Sequence, residues 1–304
     1  MTQGVKSVLI FGGSGFVGTH LAMSLRNDYK VYATYFSHPI QIPGVTFIPC
    51  HVSRRDWMQK MITTIQPDIV ISALGNPDLQ WCMKNPKDAE RVHADGPSSL
   101  ALIVGMNPPL FIFLSNSYVF DGTHGNYHEN EITLSSNLLG KLTSSTESVI
   151  RSKCMNYLIL RSSPIFGRGN GKNLSFLDRL RMSLDRNQRF EAPHHELHSF
   201  VYAPSFIATV KALIQSGIKN KIFHFGGLTK LTHYEFSRRY AKFFGYDEML
   251  ISIQPQKEAP TLTPERGVLD FSLNSTLSYQ TLKVQPLLLE ESFNLIQQEL
   301  IPEG

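Results

Sequence analysis

Cysteine is scarce in this chain of 304 residues, which holds only Cys50, Cys82 and Cys154. They are scattered, odd in number and form no Cys-x-x-Cys pair. A disulfide scaffold and a structural zinc site are therefore excluded. Long apolar runs are also missing, and none approaches the roughly 20 residues of a membrane-spanning helix. The opening Met-Thr-Gln-Gly-Val-Lys leads straight into a strand-like segment, without the apolar stretch of a secretory signal. The expectation is a reduced, cytoplasmic protein with no metal. Neither sign of charge dominates: 29 Lys and Arg face 25 Asp and Glu, for a net charge of +4. So mild a surplus gives no reason to expect nucleic acid or a membrane surface as partner. With 42% hydrophobic and 18% charged residues, wholesale disorder is excluded too.

What is present is a rhythm. Ser7 to Phe11, Lys30 to Tyr35, Val45 to Cys50, Asp68 to Ala73, Leu110 to Leu114 and Tyr157 to Leu160 read as strands. Gly15 to Leu25, Asp56 to Ile65 and Pro86 to Val104 read as helices. Strands alternating with helices imply βαβ units and a parallel sheet covered on both faces. Right-handed crossovers make that a doubly wound α/β fold of the Rossmann type. After about residue 165 the rhythm changes, with short strands expected near Phe223 and Ile251. The expected division is a dinucleotide-binding domain over 1–165 and a smaller substrate lobe over 166–304. Segments near 200–225 are expected to return to the first domain.

The first strand runs into Gly12-Gly13-Ser14-Gly15-Phe16-Val17-Gly18 and then a helix. Both Gly13-x-Gly15-x-x-Gly18 and Gly12-x-x-Gly15-x-x-Gly18 fit the spacing. Either places glycine where the backbone turns sharply and a pyrophosphate approaches helix amides. Gly12, Gly15, Phe16, Val17 and Gly18 are thus read as a cofactor site. The plainer alternative is a glycine-rich turn without a ligand. The strand before the loop and the helix after it favour the cofactor. An NAD site carries an acidic residue about 20 positions on, for the ribose 2′-hydroxyl. None occurs between Asp28 and Asp56. Ser37 and His38 follow the second strand instead, either as donors to a 2′-phosphate or as ordinary loop residues. The reading leans to NADP and leaves NAD open.

The glycine loop, Pro67-Asp68-Ile69-Val70-Ile71-Ser72-Ala73, Asn85-Pro86-Lys87-Asp88-Ala89 and Leu114-Ser115-Asn116-Ser117-Tyr118-Val119-Phe120-Asp121-Gly122 together resemble an extended short-chain dehydrogenase/reductase. The branch they resemble is that of dTDP-4-dehydrorhamnose reductases. Tyr127-x-Glu129-x-Glu131, Leu160-Arg161, Tyr234-Glu235-Phe236 and Leu269-Asp270 extend the resemblance over nearly the whole chain. It implies that Ala73, Leu74, Gly75 and Ser115 also line the cofactor site. It further implies that Arg161, Asn173 and His198 face a nucleotide-sugar-like substrate.

The resemblance breaks at the chemistry. Such reductases use a Tyr-x-x-x-Lys pair, in which the tyrosine transfers a proton and the lysine lowers its pKa. Aligned on Asn137, Gly140 and Glu147, this chain has Leu139 in place of the tyrosine and Thr143 in place of the lysine. A register using Lys141 loses the glycine and glutamate matches and still lacks the tyrosine. Asn116 and Ser117 replace a threonine and an aspartate, and His51, Met83 and His93 replace other ligand-facing residues. The expectation is an NAD(P)-binding, reductase-like protein with atypical or lost activity. One rival is a working reductase that uses water held by Asn116 and Ser117 as proton donor. The other is a non-catalytic regulatory or binding subunit with a protein partner.

Two further features are weighed here. Between Arg151 and Phe190 nine basic residues stand against two acidic ones. That cluster suits a diphosphate, while each arginine alone reads as a solvated face. His194, His195 and His198 lie close to Glu196, but their spacing fits no metal site, and they read as polar loop residues near the cleft.

Overall fold

Near-continuous apolar runs form the central strands, because a parallel sheet buried on both faces needs apolar side chains on both. The computed structural model describes residues 5–105, 109–171, 174–255 and 268–300. Its first half runs β1 (Ser7–Phe11), α1 (Phe16–Leu25), β2 (Lys30–Tyr35), β3 (Val45–Pro49), α2 (Arg55–Ile65) and β4 (Ile69–Ser72). Then come α3 (Leu79–Lys84), α4 (Pro86–Glu90), α5 (Gly96–Val104), β5 (Leu110–Asn116), α6 (Leu138–Lys153) and β6 (Tyr157–Ser162). The second half holds β7 (Ile165–Phe166), α7 (Phe176–Asp185), β8 (Phe190–Ala192), β9 (Glu196–Leu197), β10 (Val201–Tyr202), α8 (Ala203–Ser216) and β11 (Lys221–Phe225). It ends with α9 (His233–Phe243), β12 (Ile251–Ile253), β13 (Leu269–Asp270), α10 (Thr276–Leu282) and α11 (Leu289–Leu300).

The main sheet has the order β11-β6-β5-β4-β1-β2-β3, with every pair parallel. This is a doubly wound Rossmann sheet. Strand order reverses between β1 and β4, so a crevice opens at the carboxyl ends of those strands. On one face Leu21 and Leu25 of α1 and Phe206, Val210 and Leu213 of α8 pack on Val8, Ile10 and Ile71. On the other, Met58, Leu100, Val104 and Ile150 cover Leu9, Phe11, Val70 and Phe111. Each such side chain contributes about 1.5–3 kcal/mol when fully buried. A third core, rich in phenylalanine, gathers Phe166, Leu180, Phe200, Phe236, Tyr240 and Phe293 from α7, α9, α11 and adjoining segments. Among the described residues no helix is long and apolar enough to cross a membrane.

The helix expected over Pro86 to Val104 is present and carries a π-bulge. A π-turn at Arg91–Asp95 separates α4 from α5. Pro97 explains it, because proline has no N–H to donate to the carbonyl of His93 four residues back. The Gly96 N–H reaches Arg91 O instead, five residues back. The carbonyl of His93 accepts from Thr146 Oγ1 of α6 at 2.8 Å. The bulge therefore fixes where the His93 ring goes.

Candidate functional site

The glycine loop sits at the crevice. Gly12 has φ +82°, and a Cβ there would lie 2.5 Å from the carbonyl oxygen of Ala73, just past β4. A Cβ on Gly18 would collide with the backbone of Gly12. These two glycines bring β1, α1 and β4 together. Gly15 differs: its Cβ would meet only Gly12 O, at 3.3 Å, and is otherwise open. No side chain caps α1, so amides of its first turn, at Phe16 and Val17, face a potential anion. Thr34 of β2 holds the loop by accepting from Gly12 N–H at 3.1 Å. Asn170 reaches across from the segment after β7. Its Nδ2 donates to Ser14 O at 3.0 Å and to Thr19 Oγ1 at 2.8 Å.

Ser37 and His38 lie exposed beyond β2, with Ser37 Oγ 2.8 Å from His38 Nδ1. Ala73, Leu74 and Gly75 follow β4 across the crevice. The ring of His93 supports them from below: a Cβ on Gly75 would lie 2.6 Å from its Cε1. Its Nε2 is 3.1 Å from the Asn76 amide nitrogen and 3.0 Å from the Asn76 carbonyl oxygen. Burial pushes the His93 pKa down to about 4, so the ring is neutral at pH 7. His93 thus stands beneath the loop as a support instead of facing a ligand. Cys82 Sγ lies 4.0 Å from the same nitrogen, and burial raises its thiol to about 11.

Helix α6 decides the register of the missing dyad. Asn137 caps it, Oδ1 accepting from Gly140 N–H at 2.8 Å. Leu139, Thr143 and Glu147 then recur on one buried face, whereas Lys141 is exposed. Leu139 is 1% exposed and packs with Cys82, Ala89, Tyr118, Leu269 and Phe271. Thr143 is also 1% exposed. Its hydroxyl donates to Leu139 O at 2.8 Å and accepts from Asn116 Nδ2 at 3.1 Å. Asn116 Oδ1 in turn accepts from Tyr118 N–H at 3.0 Å. Each end of the Asn116 amide thus makes one hydrogen bond, and Ser117 is 1% exposed.

Two of the three substrate candidates, Arg161 and His198, are buried in separate hydrogen-bond networks. Arg161 lies in the core, not in an open cleft. Its Nη2 is 2.7 Å from Glu147 Oε2, and the two side chains are 3% and 4% exposed. Nη1 donates to His224 Nε2 at 3.2 Å, while Ser115 Oγ donates to Glu147 Oε1 at 2.6 Å. Arg161 and Ser115 therefore satisfy one buried carboxylate. Burial and the Arg161 charge push His224 down to about 3. His198 is fully buried, its Nε2 3.3 Å from Glu196 Oε2. Tyr118 OH donates to the same oxygen at 2.7 Å. Burial opposes ionisation of Glu196, but His198 and Tyr118 outweigh it and its pKa is lowered. Asn173 lies outside the described residues. Nδ1 of His194, His195 and His198 finds no partner among the described residues, yet no group there could hold a metal ion.

Sequence reasoning missed the Ser115–Glu147–Arg161–His224 network and the Asn170 strap. Glu147 was visible only as a match to the family pattern. Nothing in the sequence announces that a strand arginine and a helix glutamate will face each other.

A family model described as RmlD substrate binding domain matches residues 6–292. The chain belongs to this family. It is thus an extended short-chain dehydrogenase/reductase of the dTDP-4-dehydrorhamnose reductase-like branch. Methionine adenosyltransferase 2 subunit beta of Pongo abelii is 23% identical over 283 residues, covering 90% of this chain and 82% of that relative. The dTDP-4-dehydrorhamnose reductase of Escherichia coli (strain K12) is 24% identical over 194 residues, 62% of each chain. The solved reductase of Bacillus anthracis str. Ames, in complex with NADP, has the same fold. Its TM-score is 0.79 at 17% identity, covering 98% of this chain and 100% of that one.

Proposed function

We propose that this chain binds NADP(H), with NAD(H) as the weaker choice, and has lost the reductase proton transfer of its family. It acts as a non-catalytic, cytoplasmic binding or regulatory subunit. The residues fit a dinucleotide: Gly15 leaves open space before uncapped amides of α1, and no carboxylate after β2 opposes a 2′-phosphate. When bound, the dinucleotide supplies a hydride. Reduction of a keto group also needs a proton, which reductases of this kind deliver from a side chain. The observation that carries the proposal is the enclosed pair Leu139 and Thr143. Leucine has no proton to give, and the threonine hydroxyl is held by Leu139 O and Asn116. The burial of Ser117 also weighs against a water-based donor. The subunit role draws support from the relative named as subunit beta of a methionine adenosyltransferase.

The experiment pairs calorimetric titration of NADP(H) with turnover of NADPH and the family substrate class, a dTDP-4-keto sugar. Stoichiometric cofactor binding with no NADPH consumption is the expected outcome. Co-elution with a methionine adenosyltransferase of the same cell is expected of the subunit role. No binding of either cofactor would sink the proposal.

A further inference from the structure

Where the α8 side of the sheet meets the phenylalanine-rich core, the chain leaves a cavity of about 200 Å³. It lies between the first turns of α8, the end of β11 and the segment joining α10 to α11. None of its lining residues belongs to the glycine loop or to α6. Phe206, Phe225, Tyr202, Tyr279, Val284 and Leu287 form much of its wall. Among the described residues, no charged side chain and no histidine lines it.

Four hydroxyls of the wall are already committed. Tyr279 OH donates to Gly226 O at 2.9 Å, and Tyr202 OH to Glu299 Oε1 at 2.6 Å. Thr209 Oγ1 donates to Ser205 O at 2.8 Å, and Ser292 Oγ to Leu288 O at 3.1 Å. An ordered water needs about two to four polar partners; the wall's other polar side chains, Ser205, Thr229 and Gln285, are half-buried or exposed, and its most buried lining is Phe166, Phe206 and Phe225. A carboxylate or phosphate would be desolvated with no cation to meet it. A cavity of about 150 Å³ lined by aliphatic and aromatic groups takes up benzene. Ring edges and faces also prefer aromatic partners in offset or edge-to-face geometry.

We propose that this cavity is a binding site for a neutral aromatic molecule of one or two rings, separate from the dinucleotide crevice. The test titrates indole into the full chain, followed by ligand-detected NMR and by melting temperature. Benzoate serves as the charged control. Indole is expected to bind saturably and raise the melting temperature, with benzoate at least about tenfold weaker. Val284→Trp should fill the cavity and remove indole binding while NADP(H) binding stays unchanged. Leu228→Trp, at a rim residue 57% exposed, should weaken indole binding without disturbing the fold. Absence of saturable indole binding, or benzoate binding as tightly, would overturn the assignment. So would indole affinity undiminished in Leu228→Trp and in a folded Val284→Trp.

Discussion

Removing the carboxylate of Glu147 tests whether Arg161 belongs to the core or to a substrate site. Glu147 receives Arg161 Nη2 at 2.7 Å, Arg161 Nε at 3.0 Å and Ser115 Oγ at 2.6 Å. Both charged side chains are almost fully shielded from water. Glu147→Leu would leave a guanidinium uncompensated, at a cost of about 3–5 kcal/mol. At about 2–4 °C per kcal/mol for a chain of this class, the melting temperature should fall by roughly 6–20 °C. Arg161→Met should destabilise comparably, by leaving the carboxylate alone. The double variant Glu147→Leu/Arg161→Met removes both charges and should cost clearly less than the two singles together, by about 2 kcal/mol or more. Chemical denaturation of the wild type, both singles and the double variant closes the cycle. A Glu147→Leu cost below about 1 kcal/mol would refute the buried-pair reasoning. An Arg161→Met variant of unchanged stability that lost nucleotide-sugar binding would return Arg161 to the substrate site.

Other outcomes follow from the same geometry. Gly15→Val should still fold, since Gly15 has extended backbone and its Cβ would meet only Gly12 O, at a tight 3.3 Å, but calorimetry should show NADP(H) affinity falling at least about tenfold as the pyrophosphate path is blocked. Ser37→Glu should shift preference towards NAD(H) in a competition titration, because a carboxylate there repels a 2′-phosphate. Buried His93 and His224 have pKa values pushed down to about 4 and about 3. Unfolding therefore takes up protons below the ordinary histidine value of about 6.5. Stability from these groups is full above that pH and is lost as pH falls towards 4, by up to about 1.4 kcal/mol per unit for each histidine. Denaturation curves from pH 7.5 to 4.5 should show this slope, shallower in His93→Gln, and an unchanged slope in that variant would count against the neutral buried ring.

The sheet was legible because its signal is local. Val8 to Phe11, Ile69 to Ile71 and Phe111 to Phe113 are apolar without interruption, as strands buried on both faces of a parallel sheet require. The glycine loop was legible for the same reason, as Gly12 and Gly18 meet steric demands set within one βα turn. Residues whose roles depend on packing were not. Arg161 reads as an anion ligand in a basic stretch, and only the approach of α6 to β6 gives it Glu147. His93 reads as a ligand-facing substitution, and only the bulge before Pro97 carries it under Gly75. His198 was placed near the cleft by its neighbours in sequence, whereas the fold buries it against Glu196, with its ring beside those of Tyr118 and Phe271.

Loss of proton transfer at the enclosed Leu139 is the central claim. Its most direct test is the rate of NADPH oxidation by the unmodified protein, saturated with NADPH and a dTDP-4-keto sugar near neutral pH. General-acid help is typically worth about 10²- to 10⁴-fold. A rate depressed by at least that factor from an ordinary enzymatic turnover, on the order of 1 per second, is the expected result, with NADPH bound throughout. Turnover at 1 per second or faster would contradict the claim and show that another group delivers the proton.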